Sequence, residues 1–213
     1  MANEHPKLLK TIDSERYFAD FRELGSKFYA LMQNVTSTDH FTQFLNEVKT
    51  QYPDATHHCS AWRIFHESIS EFSQDDGEPS GTAGLPILNQ LRSFELINVA
   101  IIVVRYFGGT KLGKAGLIEA YGNAARDVIE IAKHTEVQQA VSISIHLNYD
   151  TKKVVDGILK KHHITVYQGE YLEKIVYNIF VPEPNANDFL NDLQHIEYLG
   201  VTFEVMGKAL VEV

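Results

Sequence analysis

The sequence has a single cysteine, Cys59, among 213 residues, and it has no long hydrophobic run. An internal disulfide is therefore excluded, which favours a reducing compartment. The longest apolar segment, residues 99–104, is far too short to cross a bilayer. The first residues, MANEHPKLLKTIDSE, do not have the apolar segment and small-residue cleavage site that are typical of a signal peptide. We therefore expect a cytoplasmic protein without a membrane partner.

Positive charge is also scarce. The formal net charge is -9 at pH 7, and acidic residues outnumber basic ones both before and after residue 138. A protein that coats nucleic acid by general electrostatics usually has a positively charged domain. The composition thus predicts no non-specific DNA binding, although a local basic site could still bind an ordered RNA or a small anion. The hydrophobic fraction of 44% is ordinary for a globular protein of one or two domains.

The first part of the chain mixes strand and helix patterns. β-branched and aromatic runs predict strands, whereas helical spacing of apolar residues after a cluster of capping residues at 36–39 predicts a helix that ends near Tyr52-Pro53. The predicted strands are 28–35, 57–65, 68–72 and 98–106, and the predicted helices are about 40–52, 82–93 and 115–134.

The pattern changes between residues 136 and 139, and strict period-two alternation follows from residue 141. The elements that follow are strands at 141–147, 164–168, 174–181 and 201–213, with helices after Asp150-Thr151 and at 187–195. Their order is β-α-β-β-α-β, which is the ferredoxin-like arrangement. The sequence therefore predicts two domains, 1–138 and 139–213, of the α+β class.

A glycine-rich segment follows the strand at 98–106 and leads through four glycines to the next helix. Glycines allow positive φ and close backbone approach, and a helix N-terminus has free N–H groups that attract anions. Arg105, Lys111 and Lys114 add three cations. The segment is not a Walker P-loop, since no Ser or Thr follows Lys114. An anion site and a purely structural turn both fit this pattern, and the pattern alone favours the turn.

An acidic turn at residues 75–81 carries Asp75, Asp76 and Glu78 ahead of the helix at 82–93. Clustered carboxylates can act as a metal or acid–base site. The alternative, which the spacing favours, is that Asp76 and Glu78 cap the helix while Pro79 fixes the turn. The opposite charges of the acidic turn and the glycine loop also suggest an Asp76–Arg105 ion pair.

Three neighbouring residues, His57, His58 and Cys59, raise the question of zinc binding. In a strand His57 and Cys59 share one face and His58 lies on the other, and no second cluster with zinc-ligand spacing is present. We therefore predict no metal site. No neighbouring group in the sequence would activate Cys59, which is interpreted as a buried strand thiol.

Two long segments together resemble the signature of the IMPACT family, which includes the bacterial YigZ proteins. They are DDGEPSGTAGLPIL and VVRYFGGTKLGKAGLIEAYGNAAR, and the upstream segments 25–28 and 55–58 match as well. The resemblance covers about residues 15–132. It implies an N-terminal β/α sandwich like the second domain of a small-subunit ribosomal protein. It also implies a ferredoxin-like C-terminal domain similar to the last domain of elongation factor G.

The eukaryotic members of that family regulate translation initiation by competing for the activator of a stress-responsive kinase. The resemblance therefore implies a non-enzymatic regulator whose partner is the ribosome, structured RNA or a translation-regulatory protein. An enzyme acting on a small phosphorylated or nucleotide-like ligand is the alternative, and no cofactor is predicted. The predicted binding residues, which belong to the two motifs and to the upstream His57, are His57, Asp75, Asp76, Glu78, Ser80, Thr82, Arg105, Tyr106, Gly108, Gly109, Lys111 and Gly113.

Overall fold

The computed structural model describes residues 8–213, and the chain divides into two compact units, Leu9–Glu136 and Val137–Val213. Residues 1–7 lie outside the described residues. They belong to the N-terminal segment for which no signal peptide is predicted. The division comes two residues before the boundary predicted after residue 138. It falls inside a continuous strand, His134–Leu147, which explains why no linker composition marks it. No helix within residues 8–213 has the length and apolar character needed to span a membrane.

The first unit contains an antiparallel sheet of five strands in the order β2-β3-β6-β4-β5. Its elements are β1 Leu9–Ile12, β2 Tyr17–Glu23, β3 Ser26–Asn34, α1 Thr38–Gln51, β4 His57–Phe65, β5 Ile69–Gln74, α2 Gly84–Ser93, β6 Val99–Tyr106 and α3 Gly113–Glu130. The predicted strands and helices are all present. The ends of the helices differ most from prediction: α2 begins two residues later than predicted, and α3 ends four residues earlier.

The central strand β6 is buried on both faces, as its nearly unbroken apolar sequence predicts. Val99, Ile101 and Val103 pack into one core with α2 and α3. The alternate residues of β6 pack into a second core with α1. The sheet therefore lies between helices on both faces, in a β/α sandwich. Because side chains alternate along a strand, Arg105 lies on the α2–α3 face and Tyr106 on the α1 face.

Local sequence signals account for the helix boundaries. Ser37 caps α1, because its side-chain oxygen accepts a hydrogen bond from the backbone N–H of His40 at 3.1 Å. At the end of α3, His134 contacts the carbonyl of Ile129 through Nε2 at 2.9 Å. The chain turns there and enters the next strand at His134, so the predicted continuation of the helix to residue 134 is wrong.

The second unit has the predicted β-α-β-β-α-β order. Its elements are β7 His134–Leu147, α4 Lys152–Lys161, β8 Val166–Tyr171, β9 Ile175–Pro182, α5 Ala186–Gln194 and β10 Thr202–Glu212. The strands form an antiparallel sheet in the order β10-β7-β9-β8. Ile143 and Ile145 of this sheet pack against Val155 of α4 and Phe189 of α5. The ferredoxin-like prediction and the α+β class are both confirmed.

Candidate functional site

The two predicted motifs meet at one end of the first unit's sheet. The antiparallel register of β4 and β6 places His57 opposite Arg105, and the backbone N–H of Thr56 donates to the carbonyl of Arg105 at 2.8 Å. Strand β5 runs back along β4 and brings its last residue, Gln74, opposite Ser60. The acidic turn that follows Gln74 therefore folds over the start of β4, beside Arg105.

Asp75 is the residue that caps α2. One carboxylate oxygen accepts from the backbone N–H groups of Ala83 at 3.0 Å and Gly84 at 2.9 Å, and the other accepts from Gly81 at 2.8 Å. Burial opposes ionisation of Asp75, but the three backbone hydrogen bonds outweigh it and lower the pKa of the carboxyl. The predicted capping by Asp76 and Glu78 is thus wrong, because both of these side chains have other partners.

Asp76 holds the acidic turn against β4. Its carboxylate accepts from the backbone N–H of His58 at 2.6 Å, and its carbonyl contacts Nδ1 of His57 at 2.8 Å. Its backbone has a φ of 45°, in the left-handed region where few non-glycine residues occur. Asp76 therefore stabilises the conformation of the turn and fixes the orientation of the His57 ring.

Glu78 lies at the centre of a buried hydrogen-bond cluster. Its Oε1 accepts from Nη1 of Arg105 at 2.5 Å and from the hydroxyl of Tyr121 at 2.8 Å, and Nε2 of His57 lies 3.8 Å away. The partner of Arg105 is thus Glu78, and the predicted Asp76–Arg105 pair is wrong. The carboxylate of Asp76 is turned towards the backbone of β4, whereas Glu78 lies two residues farther along the turn and reaches Arg105.

The cluster continues through Tyr121 to Cys59. The thiol of Cys59 contacts the Tyr121 hydroxyl at 3.3 Å and the carbonyl of Asp75 at 2.9 Å. Burial raises the pKa of the Cys59 thiol and that of the Tyr121 hydroxyl. Both groups are therefore protonated at neutral pH, and Cys59 lacks the thiolate that a nucleophile needs.

Arg105 is largely withdrawn from solvent, with only 4% of its surface exposed. Besides Glu78, its guanidinium donates to the hydroxyl of Ser26 at 3.2 Å. The guanidinium carbon also lies 5.4 Å from the ring centroid of Phe28 and 5.7 Å from that of Phe107. Arg105 therefore orders the end of the sheet, and it is not an exposed cation of the glycine loop.

Gly108 is required by a close backbone contact. A Cβ at this position would lie 1.9 Å from the backbone carbonyl carbon of Gly25, and the Gly108 N–H donates to the Ser26 hydroxyl at 3.2 Å. The glycine loop is thus packed directly on the turn before β3. Gly109 and Gly113 have φ values of 89° and 71°, which glycine adopts without strain.

The exposed part of the glycine loop borders a cleft of about 340 Å³, which we call the cationic cleft. Its lining comprises Glu78, Pro79, Arg105, Phe107, Lys111, Leu112, Gly113, Lys114 and Leu117. Lys111 and Lys114 are exposed, and α3 starts here without a side-chain cap on its N–H groups. These features favour an anionic ligand, while the negative charge of Glu78 is already offset by Arg105.

The remaining predicted residues do not line the cationic cleft. Ser80 is exposed on the turn, and Thr82 is buried with its hydroxyl donating to the carbonyl of Pro79 at 2.6 Å. Tyr106 lies on the opposite face of the sheet, where it contacts Tyr29. Among residues 8–213, no three His, Cys, Asp or Glu side chains are grouped as a metal site would require. Ser26, Phe107 and Tyr121 are not among the binding residues predicted from the sequence, since their contacts in the cluster depend on how distant segments pack together.

Comparison with known proteins identifies the family of this chain. The model of the Impact N-terminal domain matches residues 24–129. The IMPACT family member YvyE of Bacillus subtilis is 31% identical over 164 residues, which are 77% of this chain and 76% of that protein. The chain belongs to the IMPACT family. The matched domain contains the acidic turn, the glycine loop and the whole cationic cleft.

Two further comparisons cover most of the chain. The family member YigZ of Escherichia coli is 28% identical over 167 residues, which are 77% of this chain and 81% of that protein. A crystal structure described as a hypothetical protein has a TM-score of 0.63 and 22% identity, and the match covers 93% of this chain and 97% of the other. The structural match supports the fold of this IMPACT family member.

Proposed function

We propose that this IMPACT family protein is a non-enzymatic, cytoplasmic regulator linked to translation. It binds a component of the translation machinery, whether RNA, the ribosome or a translation factor, through the surface around the cationic cleft. The proposal rests on which motif residues bond to one another and which are exposed to solvent. The conspicuous carboxylates and Arg105 hydrogen-bond to one another and to the backbone. Among the charged and aromatic residues that line the cationic cleft, those exposed to solvent are Lys111, Lys114 and Phe107.

A binding role agrees with the chemistry of the buried cluster. A general base needs a carboxylate or imidazole that can reach a substrate proton, yet Glu78 already accepts two hydrogen bonds, and its side chain is only 4% exposed. Such a cluster holds the glycine loop and the acidic turn in fixed positions. The resemblance to the IMPACT family, which implies a role in the regulation of translation initiation, supports a partner in the same process.

Ribosome co-sedimentation at low salt tests the proposal. We expect the wild-type protein to sediment with ribosomes and the Lys111→Glu/Lys114→Glu variant to remain in the supernatant. Both lysines are exposed, so their reversal should leave the fold intact. The matched control is Lys153→Glu/Lys174→Glu, which changes the net charge equally at exposed positions of the second unit. Absence of wild-type association, or equal loss in both variants, would contradict the proposal.

The alternative function is an enzyme that acts on a small phosphorylated or nucleotide-like ligand. The observation in its favour is that the cationic cleft, at about 340 Å³, combines Glu78 with two exposed lysines. Thermal-shift measurements with nucleotides and divalent metal ions discriminate between the two. A rise in melting temperature with a nucleotide, abolished by Lys111→Glu, would favour the enzyme. No shift with any of these ligands would leave the binding module as the better account.

A further inference from the structure

A second pocket lies on the α1 face of the same sheet, and we call it the aromatic pocket. Its volume is about 390 Å³, and its lining comprises Gly25, Lys27, Tyr29, Tyr52, Tyr106 and Phe107. The ring centroids of Tyr29 and Tyr52 are 5.6 Å apart, and those of Tyr29 and Tyr106 are 5.9 Å apart. Four aromatic rings thus border one small pocket at the surface of an acidic protein.

Phe107 belongs to both pockets. It is the first residue after β6, it is 49% exposed, and it lines the cationic cleft as well as the aromatic pocket. The two pockets therefore adjoin across the end of the sheet, although Arg105 and Tyr106 point to opposite faces. Lys27, which pairs with Tyr106 in the register of β3 and β6, places an exposed cation at the aromatic pocket.

The chemistry of the two pockets is complementary to single-stranded nucleic acid. Proteins that bind single strands combine cations along the backbone with aromatic side chains on which bases stack. Here Lys111, Lys114 and the uncapped start of α3 would contact phosphate. Arg105 also lines the cationic cleft, and its Nε–H has no acceptor among the described residues. A duplex would not fit this arrangement, since its base faces are covered by stacking.

We propose that the ligand of this surface is single-stranded RNA, with phosphates in the cationic cleft and a base in the aromatic pocket beside Phe107. This inference rests on the proposed link to translation, from which it takes the choice of RNA. It adds to the proposed function that recognition requires an unpaired base. It also adds that Tyr106, which lies on the face of the sheet opposite Arg105, takes part in binding that base. A protein partner would be expected to need neither base stacking nor phosphate contacts.

Fluorescence anisotropy with labelled RNA of about ten nucleotides tests the inference. The probes are a single-stranded oligonucleotide, a duplex of equal length and an abasic strand that keeps the phosphodiester backbone. For the wild-type protein we expect the single strand to bind about 5- to 140-fold more tightly than the abasic strand, as the loss of a base–aromatic stack implies. The duplex should bind no better than the abasic strand.

The variants distinguish the contribution of base stacking to RNA binding from the contribution of positive charge. Phe107→Ala should lose most of the preference for the single strand over the abasic strand, and Phe107→Trp should keep it. Lys111→Glu/Lys114→Glu should weaken both strands alike. Tyr198→Ala, which removes an 83% exposed ring from the second unit, is the aromatic control and should bind as wild type. Melting temperatures check that each variant is folded.

The outcomes also distinguish this inference from the proposed function. If the lysine variant loses ribosome association while Phe107→Ala binds single strands as tightly as wild type, the stacking inference is wrong and the proposed function stands. If ribosomes bind and no single-stranded RNA does, the partner is a protein or a duplex, and the inference is again overturned. If neither ribosomes nor RNA bind, both proposals fail.

Discussion

At the scale of single residues, Glu78 and Arg105 form a buried ion pair, since their side chains are 4% and 5% exposed. Removing one partner of such a pair leaves a charge that is both desolvated and unpaired, which costs far more than the loss of an exposed pair. The hydroxyl of Tyr121 would lose its acceptor in the same change. We therefore expect a substitution of Glu78 or Arg105 to impair folding first, and to impair binding as a consequence.

Glu78→Ala should lower the free energy of unfolding by about 3–5 kcal/mol, measured by urea denaturation. The matched control is Glu47→Ala, which breaks the exposed ion pair that Glu47 forms with Arg16 at 2.6 Å and should cost far less, because an exposed pair contributes little to stability. Similar small losses in both variants would show that the Glu78–Arg105 pair does not stabilise the sheet end.

The pH dependence of stability should identify Asp75 as the cap of α2. Its pKa is lowered in the folded state, so the unfolded chain binds more protons as the pH falls below the ordinary value of about 3.9. The stabilisation by Asp75 is thus complete above that pH and is lost as the pH falls through the folded pKa. We expect Asp75→Asn to be less stable than wild type near pH 7, by about 0.5–2 kcal/mol.

The measurement is urea denaturation of both proteins between neutral and strongly acidic pH. The difference in the free energy of unfolding should be constant above about pH 4 and should shrink below it. A difference that stays the same down to the lowest pH would indicate that Asp75 does not act as an ionised cap.

At the scale of elements, the glycine loop depends on its contact with the turn before β3. Gly108→Ala would place a Cβ 1.9 Å from the Gly25 backbone, so the loop or the turn must shift. We expect a loss of about 1–3 kcal/mol in the free energy of unfolding and a weaker association with ribosomes. Gly157→Ala is the control, because an added Cβ there meets nothing within 4 Å and helix propensity favours alanine. Equal stability of Gly108→Ala and wild type would contradict the packing described.

The sequence predicts elements better than it predicts contacts, and particular residues show why. Strand β6 and helix α1 carry strong local signals, namely a β-branched run and the Ser37 cap. The partner of Arg105 depends on the register of β4 with β6 and on the conformation of the turn after β5, neither of which is local. Asp76 and Glu78 are equally acidic in the sequence, and their roles differ only in the folded turn, where Asp76 accepts from the His58 N–H and Glu78 accepts from Arg105.

The end of α3 and the start of β7 likewise could not be predicted from the sequence pattern. Strand β7 begins at His134 and continues through the division after Glu136. The alternation in this strand becomes strict only from Val141, so the sequence suggested a later start. The aromatic pocket was missed for a different reason, because Lys27, Tyr52 and Phe107 come from separate segments that only the folded sheet brings together.

At the scale of the whole molecule, a net charge of -9 limits how the protein can bind a polyanion. The attraction for phosphate must come from the few lysines around the two pockets, Lys27, Lys111 and Lys114. The net negative charge of the rest of the protein repels the polyanion. Binding should therefore involve few phosphates. This sets the protein apart from basic proteins that coat nucleic acid, whose affinity falls steeply as salt concentration rises.

The salt dependence of single-stranded RNA binding tests this account. Each phosphate neutralised on a single strand contributes about 0.7 to the slope of log affinity against log salt concentration, so three lysines imply a slope of about -2. Lys111→Glu/Lys114→Glu should reduce the magnitude of that slope by at least about 1.4, whereas Lys153→Glu/Lys174→Glu should leave it unchanged. A wild-type slope steeper than about -4 would require more phosphate contacts than these pockets provide. The binding surface would then have to extend beyond the end of the sheet that holds the two motifs.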